Sequence, residues 1–396
     1  MSKRTPPLVV LAAGGTGGHV FPAEALAQEL IARGHRLALV TDKRGAAYGG
    51  TLGSIETHHI TAGSLAGRGF LGRVKGLVNM GRGVLQAKSL LAQMKPEAVV
   101  GFGGYAAAPT MVAALQLNIP TVIHEQNAVL GLANRLLAEK VDRVCTSFEL
   151  AKKIPKEAEI IRTGMPVRSA IIATGYTPYR APGADGSIRL LVLGGSQGAR
   201  VFSDVIPAAV KLLPLELRRR MEISQQSRPE DLDRAHQAYV GAEAHVQLRH
   251  FFDNVPELLS NAHLLISRSG ASTVAEVSAA GRPSLLVPYP FAADDHQTFN
   301  ARALEAAGGG WMMPQTKFTP ESLAEQLVRL LTQPQLLADG AQKAAAFAIP
   351  DAANRLANVV AAVLQGENGD RVKAAPAAAS NTASSIPTQN MKRGAA

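Results

Sequence analysis

The sequence predicts an α/β protein made of two doubly wound, Rossmann-like domains that face each other across a cleft. Three observations carry this. An apolar run ending in glycines, "LVVLAAGG" (Leu8 to Gly15), leads into a helical pattern and then a second apolar run, "RLALVT" (Arg36 to Thr41). That order is a βαβ unit on a parallel sheet. At Ser187 the plan restarts: "SIRLLVLGGSQGARVFSDVIPAAVKLL" repeats "PPLVVLAAGGTGGHVFPAEALAQEL", with Leu190 to Leu193 standing where Leu8 to Leu11 stand. The repeat lies half a chain away, so it is a similarity of architecture and not a tandem array.

The elements follow in order. Pro22 suits the first turn of the first helix. Ala23, Leu26, Ala27 and Leu30 fall at i, i+3, i+4 and i+7 and give it one apolar face, and Gly34 ends it. "EAVVGFGG" (Glu97 to Gly104) and "PTVIHEQN" (Pro120 to Asn127) read as strands that deliver glycines and polar residues at their carboxyl ends. "GYTPYRAPGADGS" (Gly175 to Ser187), rich in Pro and Gly, reads as a linker. "AHLLISRSGASTVAEVSAAG" and "PSLLVPYPFAADDHQTFNARALEAAGG" each read as strand, loop and helix. "DAANRLANVVAAVLQ" is a last helix, and from Gly366 the chain has almost no large apolar residue, a composition expected to be disordered. The expected domains are 1–166, a linker 167–187, a second domain 188–349, a helix 350–365 returning to the first domain, and a tail 366–396.

Composition narrows the classes. The chain has 396 residues, 46% hydrophobic and 18% charged, ordinary for a protein with real cores. Its single cysteine, Cys145, permits no disulfide framework and no thiolate metal cluster; it reads as a small buried hydrophobe. No apolar run approaches the ~20 residues that span a bilayer, and "MSKRTPP" lacks the pattern of a secretory signal. The expectation is a protein kept inside the cell. A formal net charge of +10 favours acidic partners: nucleic acid, anionic lipid or a phosphorylated substrate.

Much of that charge is local. Between Glu56 and Glu97 there is no acidic residue and there are six basic ones: Arg68, Arg73, Lys75, Arg82, Lys88 and Lys95. They alternate with Phe70, Leu71, Val74, Leu77 and Val78. Basic and apolar residues at helical spacing fit a membrane-surface element; they equally fit a core-packing helix with a solvated basic face. Nucleic acid is disfavoured, because stacking aromatics are almost missing there.

Parallel sheets bind ligands beyond the carboxyl ends of their strands. Gly14, Gly15, Gly17 and Gly18 would let a phosphate or sugar approach the main chain. "GGTGGH" and "GGSQGA" (Gly194 to Ala199) match neither the Walker loop nor the dinucleotide G-x-G-x-x-G. Ser269 and Gly270, in "SRSGASTVAE", stand where a helix begins, a place that favours an anion. Glu276, further in, is either a solvated helix carboxylate or an acceptor for a ribose diol. Asp295, His296 and Gln297 open another helix, with Asp295 a good cap; Gln297 is either solvated or a donor to sugar hydroxyls. The lone Asp-x-Asp, Asp231 to Asp233, reads as the solvated face of a polar helix and not a metal site.

Together "GGTGGHVFPA", "GFGGYAAAP", "HEQNAVLGLANRLLA", "GMPVR", "LGGSQGA" and "SRSGASTVAE" resemble the MurG family of bacterial peptidoglycan glycosyltransferases, in order from about Leu8 to about Leu364. The resemblance implies the two-domain GT-B fold and transfer of N-acetylglucosamine (GlcNAc), with inversion, from UDP-GlcNAc to the 4-hydroxyl of undecaprenyl-pyrophosphoryl-MurNAc-pentapeptide (lipid I), giving lipid II. It also implies a peripheral place on the cytoplasmic face of the inner membrane, an anionic membrane surface and other cell-wall and division proteins as partners, and no cofactor or metal. Thr16, Gly17 and Gly18 would contact the donor, and Asn127 the sugar. Arg168 and Ser196 would hold the UDP, and Phe252 would read the uracil through its backbone. Ser269, Gly270, Ala271, Ser272, Thr273 and Glu276 would cover diphosphate and ribose, with Glu276 on the ribose hydroxyls. Gln297 would read the GlcNAc hydroxyls. The membrane face would be Phe70, Leu71, Arg73, Val74, Lys75, Leu77, Val78 and Arg82. Two departures stand out: Met165 where the family has Asn in Gly-Asn-Pro-Val-Arg, and His296-Gln297 where it often has Gln-Gln.

Inversion needs a base for the acceptor hydroxyl, and an imidazole near neutrality suits it. His19, at the end of the first glycine loop, is the expected base, with Glu125 as the alternative. Arg168 and main-chain N–H groups would carry the departing UDP without a metal.

Overall fold

Seven strands form the first sheet: β1 Leu8–Ala12, β2 Arg36–Thr41, β3 Glu56–His59, β4 Ala98–Gly101, β5 Thr121–Glu125, β6 Arg143–Thr146 and β7 Ile160–Arg162. The second has six: β8 Ile188–Leu193, β9 Met221–Gln226, β10 His245–Arg249, β11 Leu264–Ser267, β12 Ser284–Leu286 and β13 Gly310–Met312. These come from a computed structural model that describes residues 6–14, 17–42, 50–63, 70–195 and 198–366, with the backbone alone for 70–73. The orders are β3-β2-β1-β4-β5-β6-β7 and β10-β9-β8-β11-β12-β13. Among the described residues every pairing between these strands is parallel, from Leu8 beside Arg36 to Leu286 beside Met312. The expected doubly wound α/β fold is therefore present twice. β1, β4, β5 and β6 are buried along their whole length, because helices cover both faces; that is why they read as unbroken apolar runs.

The helix Gly17–Ala32 starts inside the glycine run, so Pro22 lies in its second turn and not its first. Ala23, Leu26, Ala27 and Leu30 are fully buried, as their spacing predicts. The helix ends in a Schellman arrangement: the His35 N–H donates to Leu30 O and Gly34 N–H to Ile31 O, with Gly34 at φ +84°. Gly14 is bare for packing, since a Cβ there would lie 2.6 Å from the Ala106 Cβ and 2.9 Å from Thr41 Oγ1.

The helix Phe70–Met94 packs on Gly104–Gln116 through a narrow stripe. Gly76, Gly83, Ala87 and Leu91 are buried, and a Cβ on Gly83 would overlap the Thr61 carbonyl and Pro109. Small residues bring this helix close, Leu91 enters the core, and four large apolar residues are left outside. Val74, Leu77, Val78 and Leu85 are 43%, 59%, 49% and 70% exposed, next to exposed Lys75 and Arg82. Phe70, Leu71 and Arg73 have side chains outside the described residues.

Two connections join the halves. After β7 the segment Met165–Thr174 packs into the second half: Met165, Val167 and Ile171 share an apolar cluster with Leu191, Leu265 and Val274. Met165 also receives the Ser147 hydroxyl at 3.5 Å, so the residue that departs from the family is core. Residues 175–187 hold no helix or strand but are pinned to the second half, Tyr179 Oη donating to His263 O and Arg282 to Thr177 O. The chain returns at Ile349. The helix Ala352–Leu364 buries Leu356, Ala357, Val360 and Val363 in the first core, worth roughly 1.5–3 kcal/mol for each fully buried Leu or Val. Pro334–Leu364 has the length and hydropathy of a membrane span, contrary to expectation. It is two helices, Pro334–Phe347 and Ala352–Leu364, each packed on a different half.

Asp231 corrects another expectation. It is 4% exposed and accepts from Arg228 Nε and Arg234 Nη2, both at 2.6 Å. It is an ion-paired anchor and not part of a solvated face. The tail, from 367 on, lies outside the described residues.

Gly164 marks the crossing of the two connections. It sits at φ +86°, and a Cβ there would fall 2.7 Å from the Ile349 Cβ. Gly34 has a similar φ of +84° with nothing within 4 Å. Gly34→Ala should cost the left-handed strain alone, about 1–2 kcal/mol. Gly164→Ala adds overpacking worth about 1–3 kcal/mol and should lower the melting temperature clearly further in a thermal scan.

Candidate active site

Strand order fixes where the site lies. The first sheet reverses direction between β1 and β4, and the second between β8 and β11. Crevices open at such switch points beyond the strand ends. The loops after β1, β4 and β5 therefore gather on one lip, and those after β8, β11 and β12 on the other.

On the first lip the segment "HEQN" runs from the end of β5 into the loop after it, and its hydrogen bonds divide it into two pairs, His124 with Gln126 and Glu125 with Asn127. Glu125 is 2% exposed. One oxygen accepts from Asn127 N and Nδ2 at 3.0 and 3.3 Å; the other accepts from Gly131 N and Asn134 Nδ2, both at 2.9 Å. Four donors leave this carboxylate no free oxygen for a substrate proton. Its geometry is that of a post that shapes the 125–134 loop and aims Asn127. The other pair faces His19. The His19 Nδ1 lies 2.9 Å from Gln126 Oε1, and Nε2 lies 3.4 Å from where a Cβ of Gly104 would be. Gly104 opens the helix Gly104–Gln116 at φ +74°, so glycine keeps the space beside Nε2 clear.

On the second lip, Gly270 precedes the nine-residue helix Ala271–Ala279, and no side chain caps it. Its first N–H groups are left to face an anion. Ala271 is buried, and Ser272 and Thr273 are half-buried. The Ser269 hydroxyl does not face that space: it is fully buried and donates to Gln297 O at 2.8 Å. Gln297 Oε1 accepts from Tyr289 N at 2.9 Å, which leaves its amide N–H groups for a ligand. Asp295 precedes Gln297's helix at φ +56°, but its carboxylate accepts from the Thr298 hydroxyl at 2.6 Å and caps no backbone N–H. His296 Nδ1 is held by Ala293 O at 2.8 Å. Phe252 is buried in the loop after β10, with the Arg249 guanidinium 6.0 Å from its ring centre. Thr16 and Ser196 lie outside the described residues; Gly17 and Gly18 begin the first helix.

The lips meet at two places. Arg168 donates to Glu276 Oε1 at 2.9 Å, and its guanidinium lies 4.8 Å from the ring centre of Phe21, two residues past His19. Burial raises the Glu276 carboxyl above its ordinary value, and Arg168 opposes that. The second place was not foreseen. Asn300 is fully buried. It accepts from Ala128 N at 2.8 Å and donates to Asn127 Oδ1 and to Ser269 O, both at 3.1 Å. The signal available was its spacing, three residues after Gln297 on one helix face. Alongside it, Asp294 pairs with Lys153 and with Arg135, the latter at 3.7 Å.

Residues 9–146 match the glycosyltransferase family 28 N-terminal domain, and residues 189–356 match the glycosyltransferase family 28 C-terminal domain. A Paramagnetospirillum magneticum protein is 56% identical over 365 residues, 92% of this chain and 98% of the relative. A Rhodospirillum rubrum protein is 53% identical over 357 residues, 90% of this chain and 92% of the relative. Both bear the name UDP-N-acetylglucosamine–N-acetylmuramyl-(pentapeptide) pyrophosphoryl-undecaprenol N-acetylglucosamine transferase. The crystal structure of Acinetobacter baumannii MurG superposes with a TM-score of 0.73 at 31% identity, over 90% of this chain and 99% of that one. A Neisseria meningitidis UDP-GlcNAc 2-epimerase shares the fold, with a TM-score of 0.62 at 15% identity, over 89% of this chain and 99% of that one. By both domain matches and these relatives, the chain belongs to glycosyltransferase family 28, in its MurG branch.

Proposed function

We propose that this chain transfers GlcNAc from UDP-GlcNAc to the 4-hydroxyl of lipid I, with inversion, to make lipid II for peptidoglycan. The observation that carries the reading is the junction at Arg168, whose guanidinium touches Phe21 on the first lip and Glu276 on the second. One cation thus stands between the helix that bears the base and the helix whose free N–H groups suit a diphosphate. The relatives bearing the transferase name at 53–56% identity support the same substrates.

The acceptor hydroxyl attacks opposite the leaving UDP, and His19 Nε2 takes its proton. Arg168 and the amides at the start of Ala271–Ala279 meet the negative charge that grows on the diphosphate. Thr16, Gly17, Gly18 and Ser196 contact the donor. The Phe252 backbone reads the uracil, and Glu276 accepts from the ribose hydroxyls. Gln297 donates to GlcNAc, and Asn127, aimed by Glu125, contacts the same sugar. No cofactor or metal takes part in this scheme. The decisive assay is transfer of labelled GlcNAc to a lipid I analogue by the purified protein; retention of all label in UDP-GlcNAc would end the proposal.

The enzyme works peripherally at the cytoplasmic face of the inner membrane. The exposed face of Val74, Leu77, Val78 and Leu85 beside Lys75 and Arg82 supports this, since it pairs apolar insertion with attraction to anionic lipid.

Two measurements test these roles. His19→Ala should lower kcat by about 10²–10⁴-fold with little change in KM for UDP-GlcNAc; a kcat near that of the native protein would remove His19 as the base. Replacing Lys75 and Arg82 together by Ser should weaken binding to phosphatidylglycerol vesicles by roughly thirtyfold, at about 1 kcal/mol per cation, and leave turnover of a short-chain soluble acceptor unchanged. Equal binding by both proteins would move the membrane face elsewhere.

A further inference from the structure

A histidine base must present a lone pair, and a neutral imidazole carries only one proton on its two nitrogens. In water that proton prefers Nε2, the nitrogen that His19 needs free. Something must reverse the preference. His19 Nδ1 lies 2.9 Å from the Gln126 side chain. Which end of that amide faces His19 is settled from the far side. Gln126 Nε2 lies 2.9 Å from the His124 carbonyl oxygen, which can only accept, and 3.2 Å from His124 Nδ1. The amide oxygen therefore faces His19, and His19 Nδ1 must donate.

The second link is fixed the same way. His124 Nε2 lies 2.9 Å from the carbonyl oxygen of Gly164, so it carries the proton and Nδ1 is an acceptor for Gln126. An imidazolium at His124 would turn Nδ1 into a donor against the Gln126 NH₂. Burial prevents that, holding the His124 pKa down at about 4. Both His124 and Gln126 are buried, at 0% and 2% exposure. Two carbonyl oxygens thus order every proton from Gly164 to His19.

We infer that Gln126, oriented by His124 and the Gly164 carbonyl, is a positioning residue that holds His19 in its Nδ1–H tautomer, so that Nε2 offers its lone pair to the acceptor hydroxyl. An amide suits this task where a carboxylate would not: it fixes the tautomer without adding the negative charge that favours imidazolium. The inference rests on the proposed role of His19 as base.

The test joins a spectroscopic and a kinetic measurement on the full chain. ¹⁵N-histidine NMR of the native protein, with His19 assigned by its loss in His19→Ala, should show the Nδ1–H tautomer. Gln126→Met, similar in shape and without an acceptor, should shift His19 toward Nε2–H. Its kcat should fall roughly 10- to 100-fold, as when a partner that orients a functional imidazole is lost, while KM for UDP-GlcNAc stays within about twofold of the native value. An Nε2–H tautomer in the native protein overturns the inference without any Gln126 variant. So does a Gln126→Met protein that keeps native tautomer and kcat, or one that loses affinity for the donor instead of kcat. These results differ from a failure of the base assignment, in which His19→Ala itself retains kcat.

Discussion

A buried amide, Asn300, ties the two lips of the cleft together. Asn300 makes all three of its hydrogen bonds across or along the interface, to Asn127, Ala128 and Ser269, and its side chain meets no water. A buried amide left without partners costs about 1–3 kcal/mol for each lost bond. The closed arrangement is therefore favoured by the need to satisfy Asn300. On the proposed reading its partners lie beside the ligand: Asn127 is the expected sugar contact, and Ser269 stands just before the helix start proposed for the diphosphate. Asn300 shares the helix His296–Ala306 with Gln297, so the residue that ties the lips together and the other proposed sugar contact sit on one rigid element.

The fold was largely legible from the chain and the site only partly, for a physical reason. A parallel strand buried on both faces must be apolar at every position, so Leu8–Ala12 and Arg36–Thr41 show in any linear reading. Helix spacing likewise marks Ala23, Leu26, Ala27 and Leu30. Interactions between distant residues leave no such trace. Asn300 lies 172 positions from Ala128, the residue whose N–H it accepts, and Asp231 looks solvated until Arg228 and Arg234 are seen to close on it. Gly14 looked like a place for a ligand to approach, yet it is bare because Ala106 and Thr41 press against it. The start of the first helix was misplaced because glycine is a poor helix former, and neighbouring structure overrides that preference. Within "HEQN" the identities of Glu125 and Asn127 drew notice while His124 and Gln126 did not. Their hydrogen bonds separate the two pairs, one closing the 125–134 loop and the other reaching His19.

On the proposed reading, the Arg168–Glu276 pair must part when the donor binds. Glu276 is half-buried, and desolvation already works against its charged form, with Arg168 the compensating cation. When Arg168 turns to the diphosphate, Glu276 would be left a charge in a poorly solvated place, which is costly unless hydrogen bonds replace the lost partner. A ribose diol supplies such bonds. A ligand bringing phosphate without ribose takes the arginine and gives the carboxylate nothing in return. One bringing ribose without phosphate leaves the pair intact but crowded. The pair thus couples recognition of the two parts of the nucleotide through one exchange, and neither part alone completes it.

The proposed base and the proposed membrane helix both lie in the first half and are joined by one packing contact. The helix Phe70–Met94 packs against Gly104–Gln116, with Gly83 set against Pro109, and the first residue of that second helix lies beside His19 Nε2. Large side chains at that contact would push the two helices apart, so the bulky apolar residues are driven to the outer face, where Leu77 and Leu85 stay exposed. Close packing toward the site and an apolar face toward solvent are then two results of one residue pattern. On the proposed reading an acceptor anchored in lipid would meet that outer face first, and the helix pair, held close where Gly83 meets Pro109, would set how far its sugar must travel to reach His19.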